Sequence, residues 1–290
     1  MVRVTGIHRL GLGVPALQPA SDFYLHRWGM DSAGSDGDER TFRSKGCGHG
    51  DLLLRRSDEA TLDHIALSVA SEADLDALLA TVERAGFAVA QQPRRGQRPG
   101  EALLAAVDDR DGNRVELVVP APAAEATARA DDAAADGPRK LGHVVLWTPR
   151  PDAQEAFYAL LGFRVSDRTH IGMSFLRCNT DHHTIAFVRS ARGRTGLQHA
   201  AFDVGSIDNV MRAYGRLRDE GIACIWGVGR HGPGNNVFSY YRDPANNVVE
   251  FYGDMETVPL AEDVATRVWG AEHKGDVWGV AGAPPEPFRD

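Results

Sequence analysis

Two rhythms of apolar residues alternate along this chain. Short runs rich in β-branched and aromatic residues recur: LGLGV (10–14), LLLRR (52–56), HIALSV (64–69), NRVELVV (113–119) and HVVLWT (143–148). Later come FRVSD, FLRC, HTIAFVR, HAAFDV, IACIW, NVFSYY and NVVEFYG, the last at 247–253. Their period of two and their residue types predict strands, as does the run around FAVAQ (87–91). Between them, SDFYLHRW (21–28), 72–85, 152–160 and 206–220 carry apolar residues at helical spacing. Each half therefore predicts strand, helix, strands, then the same again.

The rhythm is also duplicated in detail. HIALSV aligns with HAAFDV, and a glycine (Gly86, Gly221) stands 22 positions after each His. Asp109 and Asp243 each precede a glutamate, Glu116 or Glu250, by seven positions. VPALQPASDFY (14–24) matches TPRPDAQEAFY (148–158) with equal Pro-to-Phe spacing. Four correspondences in one order predict a duplicated domain: residues 1–120 and 139–258, an Ala/Asp-rich linker at 121–138, and an irregular tail at 259–290. The class expected is α+β, with paired βαβββ units in each domain.

A net charge of −8 over 290 residues excludes the basic stripe that phosphate backbones require. No apolar run approaches the length needed to cross a bilayer. Cys47, Cys178 and Cys224 are few and scattered, so neither a disulfide nor a zinc framework is expected and a reducing cytoplasm fits.

Three polar residues stand out because they interrupt apolar strands: His143 in LGHVVL, His199 in LQHAAFDV and Glu250 in NVVEFYG. A buried carboxylate is rarely left unpaired. Two imidazoles and a carboxylate are the facial set that leaves metal positions open, and Fe(II), or else Mn(II), suits that set.

DHHTIAFV (181–188) and GRHGPGNNVFSYYRDPANNVVEFYGD (229–254), with the repeated units and the His-His-Glu set, resemble the vicinal oxygen chelate superfamily. More closely, residues 1 to about 258 resemble its type I extradiol catechol dioxygenases. The resemblance implies incomplete barrels around a pocket, metal in the carboxyl-terminal domain alone, and homo-oligomers acting on a catechol and O2. It implies catalytic roles for His183, for His231 and for Tyr241, with Tyr240, of opposite parity, as the runner-up. It places Val145 and Phe175 on the pocket wall. Asn235 and Asn236 stand where some relatives carry an Asp and are assigned to substrate binding. His182, of opposite parity to His183, is expected at the surface or behind it.

In the first half, register from Pro15 and Pro149 sets Arg9 opposite His143, so a cation replaces the first ligand beside His64 and Glu116. Arg9 is expected to pair with Glu116 in a vestigial site. An apolar wall favours alkyl- or aryl-substituted catechols over a carboxylated one; no Arg marks a carboxylate clamp outright, and Arg177, Arg230 and Arg242 are the ones left open. The tail, with Trp269 and Trp278, is expected to cover the pocket mouth or to pack between subunits. The competing readings are a glyoxalase-like isomerase or thiol transferase on the same scaffold, and a non-catalytic aromatic-binding module.

Overall fold

A computed structural model describes residues 2–122, 137–260 and 264–290. The expected linker at 121–138 falls largely outside the described residues. The first half runs β1 (Val4–Val14), α1 (Leu17–Asp22), a π-helical turn (Phe23–Arg27), β2 (Asp31–Asp36), β3 (Glu39–Arg43), β4 (Leu52–Arg56), β5 (Thr61–Val69), α2 (Glu72–Arg84), β6 (Val89–Arg95), β7 (Glu101–Asp108) and β8 (Arg114–Pro120). The second repeats it: β9 (Lys140–Thr148), α3 (Pro151–Leu160), β10 (Arg164–Thr169), β11 (Met173–Arg177), β12 (Ile185–Arg189), β13 (Gly196–Gly205), α4 (Ile207–Asp219), β14 (Trp226–Arg230), β15 (Val237–Arg242) and β16 (Val248–Gly253). A last strand, β17 (Arg267–Trp269), follows.

The strand orders are β2-β3-β4-β1-β5-β8-β7-β6 and β14-β15-β16-β13-β9-β12-β11-β10-β17. In each, the first strands of two βαβββ units pair antiparallel and fuse the units into one sheet. The fold is α+β. The helix starts repeat too. Ser71 accepts a hydrogen bond from Asp74 N–H at 3.1 Å and Ser206 from Asn209 N–H at 3.4 Å, satisfying end groups that α2 and α4 cannot bond internally. Leu75, Leu78, Leu79 and Val82 then form one buried face of α2.

The halves grip each other. Trp28, fully buried, lies flat on Phe251 with ring centroids 3.6 Å apart and meets Phe202 edge-on. Tyr24 donates a hydrogen bond to Asp243 at 3.0 Å, and Gln154 donates to Asp111 at 2.8 Å. Each half thus ties down a turn of the other.

Two expectations differ. IACIW is not a strand; β14 begins at its Trp226 and continues through WGVGR, where Gly229 lets the strand approach Phe238 closely. The pairs β2–β3 and β7 escaped the pattern. β2 is mostly exposed and β3 half-buried, and both are largely polar, so they carry no apolar alternation. Among the described residues, no helix is long and apolar enough to cross a membrane.

Candidate metal centre

Register brings the three polar residues together. Ala201 on β13 lies opposite His143 on β9 and opposite Glu250 on β16. Directly opposed residues share a face, and His199, two positions from Ala201, shares it too. His143 Nε2 lies 3.3 Å, and His199 Nε2 3.2 Å, from the same Glu250 oxygen, Oε2. All three side chains are buried. Burial lowers His199 and keeps it neutral.

Glu250 Oε2 and His199 Nε2 have no hydrogen-bond partner despite their burial. Such orphaned atoms are costly, and a cation at their common centre would satisfy them. The three ligand atoms lie within 4.8 Å of one another, so the donor set fits a divalent metal.

Neighbouring side chains aim these donors. His199 Nδ1–H donates to Gln198 Oε1, which fixes Nε2 as the bare nitrogen. Gln198 is the extra residue of a β-bulge against β9, a device that turns a side chain out of strand alternation. Asn236 Nδ2 donates to Glu250 Oε1 at 3.2 Å. Sequence reasoning missed Gln198, and it gave Asn236 to substrate. Asn236 is buried behind the carboxylate, and Asn235 sits exposed on a left-handed turn (φ 53°). Neither lines the cavity: Asn236 is spent on Glu250 and Asn235 faces solvent.

The centre opens into a cavity of about 320 Å³ whose wall includes Val145, Phe175, His183, His231, Trp226 and Tyr240. His183 packs on His143 with centroids 4.2 Å apart and meets Phe175 edge-on. Burial, reinforced by the neighbouring imidazoles, holds His183 well below the usual histidine range. His182 is not at the surface but fully buried behind His183.

His231 Nδ1–H donates to the Gly275 carbonyl at 2.8 Å. Its Nε2 therefore accepts, and the Tyr240 hydroxyl donates to it at 2.9 Å. Burial, then the Glu250 charge, raises the Tyr240 hydroxyl well above its ordinary value. Here the expectation is corrected: Tyr240, not Tyr241, faces the site. Tyr240 pairs across the ladder with Glu250, whereas Tyr241 pairs with Val249 and packs against Trp28 on the opposite face. Arg177, Arg230 and Arg242 do not line the cavity.

The tail forms the roof. β17 pairs parallel to β10, and Trp269, Gly275, Pro284 and Phe288 complete the cavity. Asp276 anchors the segment by accepting from Arg230, Trp278 and Ala281 N–H. Trp278 itself stays outside, half-exposed beneath Arg230.

The first half shows the same frame with Arg9 in place of the first donor. Ala66 lies opposite Arg9 and opposite Glu116, as Ala201 lies opposite His143 and Glu250. The register expected for Arg9 holds, but its main partner does not. Arg9 pairs with Glu101, buried at 1 % exposure like itself, and reaches Glu116 only at 4.0 Å. His64 Nε2 lies 3.5 Å from Glu116, and its Nδ1 is 2.7 Å from Asp63 Oδ2, the counterpart of Gln198. Gly11 replaces Val145, and any Cβ there would collide with the His64 ring, so the imidazole fills the space that is cavity in the second half.

A family model of the Glyoxalase/Bleomycin resistance protein/Dioxygenase superfamily matches residues 6–117 and 140–251. Metapyrocatechase 2 of Cupriavidus necator is 29% identical over 227 residues, 72% of this chain and 69% of that protein. Biphenyl-2,3-diol 1,2-dioxygenase of Sphingomonas paucimobilis is 24% identical, over 92% of this chain and 94% of its own. Among solved structures, a Mn(II)-bound glyoxalase from Novosphingobium aromaticivorans is 36% identical, with a TM-score of 0.88 over 99% of this chain and 94% of that one. Homoprotocatechuate 2,3-dioxygenase from Arthrobacter globiformis shares the fold at 23% identity and TM-score 0.88, over 100% of this chain and 92% of that one.

Proposed function

Because the chain belongs to the Glyoxalase/Bleomycin resistance protein/Dioxygenase superfamily, we propose that it is an extradiol dioxygenase. It cleaves a substituted catechol beside its two hydroxyls and incorporates O2 into a 2-hydroxymuconic semialdehyde-type product. The observation that carries this reading is the placement of His183 and the His231–Tyr240 pair around one cavity with the triad.

His143, His199 and Glu250 would hold Fe(II), with Mn(II) as the second choice. When bound, the metal supplies adjacent open positions for both catechol oxygens and O2, and lowers the pKa of the chelated hydroxyl. His183, held neutral, takes the proton released by the catechol and returns it as the ring opens. Tyr240, its hydroxyl kept protonated and its one hydrogen given to His231, offers its oxygen as the acceptor for a substrate hydroxyl. Val145, Phe175, Trp226 and Phe288 hold the ring and exclude water, so an alkyl- or aryl-substituted catechol suits the wall better than a carboxylated one.

The glyoxalase relative favours a second reading, isomerisation of a thiol adduct on the same metal. One protein sample separates the two. Anaerobic protein is loaded with Fe(II), mixed with a 3-alkyl or 3-aryl catechol and exposed to O2, and a yellow ring-fission product is expected. Iron-retaining protein that yields no colour with such catechols, yet turns over a hemithioacetal, overturns the dioxygenase reading.

A further inference from the structure

Behind His183 lies a second set of ionisable groups that the proposed reaction leaves unused. Asp167 on β10 is 1 % exposed. Its Oδ2 lies 3.2 Å from His182 Nε2 and accepts the Trp269 indole N–H at 2.6 Å; its Oδ1 accepts from Arg267 Nε at 3.2 Å. His182, fully buried, places Nδ1 3.1 Å from His183 Nδ1.

We infer that Asp167 is a positioning residue that, acting through His182, holds His183 in the tautomer whose Nε2 is unprotonated. An ionised carboxylate only accepts hydrogen bonds, so the His182 nitrogen facing it carries the hydrogen. A His182 that carries this one hydrogen is bare at Nδ1. Two imidazole nitrogens 3.1 Å apart need one hydrogen between them, and His183 Nδ1 supplies it. His183 Nε2 is left with its lone pair, the form that can accept a hydrogen from a substrate hydroxyl. In the reverse tautomer Nε2 would be occupied before substrate arrived.

The packing protects this arrangement. Gly234, in the left-handed region at φ 76°, lies over the two rings, and a Cβ there would stand 3.2 Å from both Nδ1 atoms. Trp269 and Arg267 bring the tail onto the same carboxylate. The segment that roofs the cavity is thereby fastened to the residue that sets the orientation of His183.

The tautomers are the direct test, and they rest on no assay of turnover. Long-range 1H–15N spectra of metal-free, 15N-histidine-labelled protein are expected to show Nε2–H for His182 and Nδ1–H for His183. Nδ1–H on His182 in the wild type overturns the inference. Asp167→Leu removes the acceptor that faces His182 Nε2 and is expected to release both tautomers, whereas Arg267→Gln, which removes another partner of Asp167, leaves them in place.

The consequence for turnover rests on the extradiol reading. Asp167→Leu is expected to lower kcat roughly 10²-fold, a loss that Arg267→Gln does not reproduce, and to add no further loss in a His183→Phe background. A rise in KM at constant kcat means that Asp167 only anchors the tail, and overturns the inference. The expected tautomers in protein that gives no ring-fission product leave the relay standing and sink the dioxygenase reading instead.

Discussion

Arg9 and His143 occupy the same point of the two repeats, each opposite an alanine that also faces the glutamate of its half. One half meets its buried carboxylates with a tethered guanidinium; the other aims two bare imidazole nitrogens at its carboxylate. The same register therefore yields a sealed ion pair in one sheet and a metal-binding face in the other.

Removing that guanidinium is expected to be expensive. Arg9→Met strands Glu101 in the interior and should cost about 3–5 kcal/mol, because breaking a buried pair leaves an uncompensated charge. Arg9→Met with Glu101→Leu should recover most of the loss. Urea unfolding of the three proteins checks this, and equal stabilities for the single and double variants would refute it.

The adjacent tyrosines are expected to behave differently. Tyr240→Phe removes the hydroxyl bonded to His231 and should lower kcat/KM by roughly 10–100-fold, about 1.4–2.7 kcal/mol of transition-state stabilisation. Tyr241→Phe removes a hydroxyl on the face turned away from the cavity, so turnover should stay near wild type. Steady-state kinetics on one substituted catechol decide between the two residues.

Metal retention is expected to depend on residues that never touch the metal. Gln198→Ala frees the His199 tautomer, and Asn236→Ala leaves Glu250 Oε1 without its donor. Each should weaken binding by roughly 10–100-fold, read by competition with a chelator. Asn235→Ala, on the exposed turn, is the comparison that should leave affinity unchanged.

Acid should destabilise the first half through His8. This residue is buried, stacked on His49 at 4.0 Å, and lowered from 6.5 to about 2 by burial and then by the His49, Arg9 and His64 charges. The folded state keeps His8 neutral while the unfolded chain protonates near 6.5. Unfolding therefore takes up a proton, and stability, intact above 6.5, drains as pH falls toward 2. Between pH 7.5 and 5.5 the loss from this one group is about 1.4 kcal/mol. His8→Leu should shrink the pH dependence of metal-free protein by that amount in denaturant titrations.

Much of the fold and the triad could be read in the sequence because the chain carries its own control. The duplication fixed the register of Arg9, His64 and Glu116 against His143, His199 and Glu250 before any coordinates. Tyr241 was misassigned because parity within one strand says nothing until its partner is known. Counting outward from both ends of the DPANN turn would have set Tyr240 opposite Glu250. Gln198 was hidden for another reason: a bulge breaks the alternation on which such counting relies. The tail had neither periodicity nor a counterpart in the other half. One of its contributions to the site, the Gly275 carbonyl that orients His231, is backbone and carries no side-chain signal.

The bond from Tyr24 to Asp243 gives the metal-less copy a task of its own. Asp243 also gathers the backbone N–H groups of Ala245 and Asn247, so it knots the turn from which β16 sets out toward Glu250. With Trp28 flat against Phe251, the first half buttresses the strand that carries the carboxylate. Excising it would leave the second half with every ligand in its sequence and no wall to brace them. The copy that carries Arg9 is the jig on which the other is assembled.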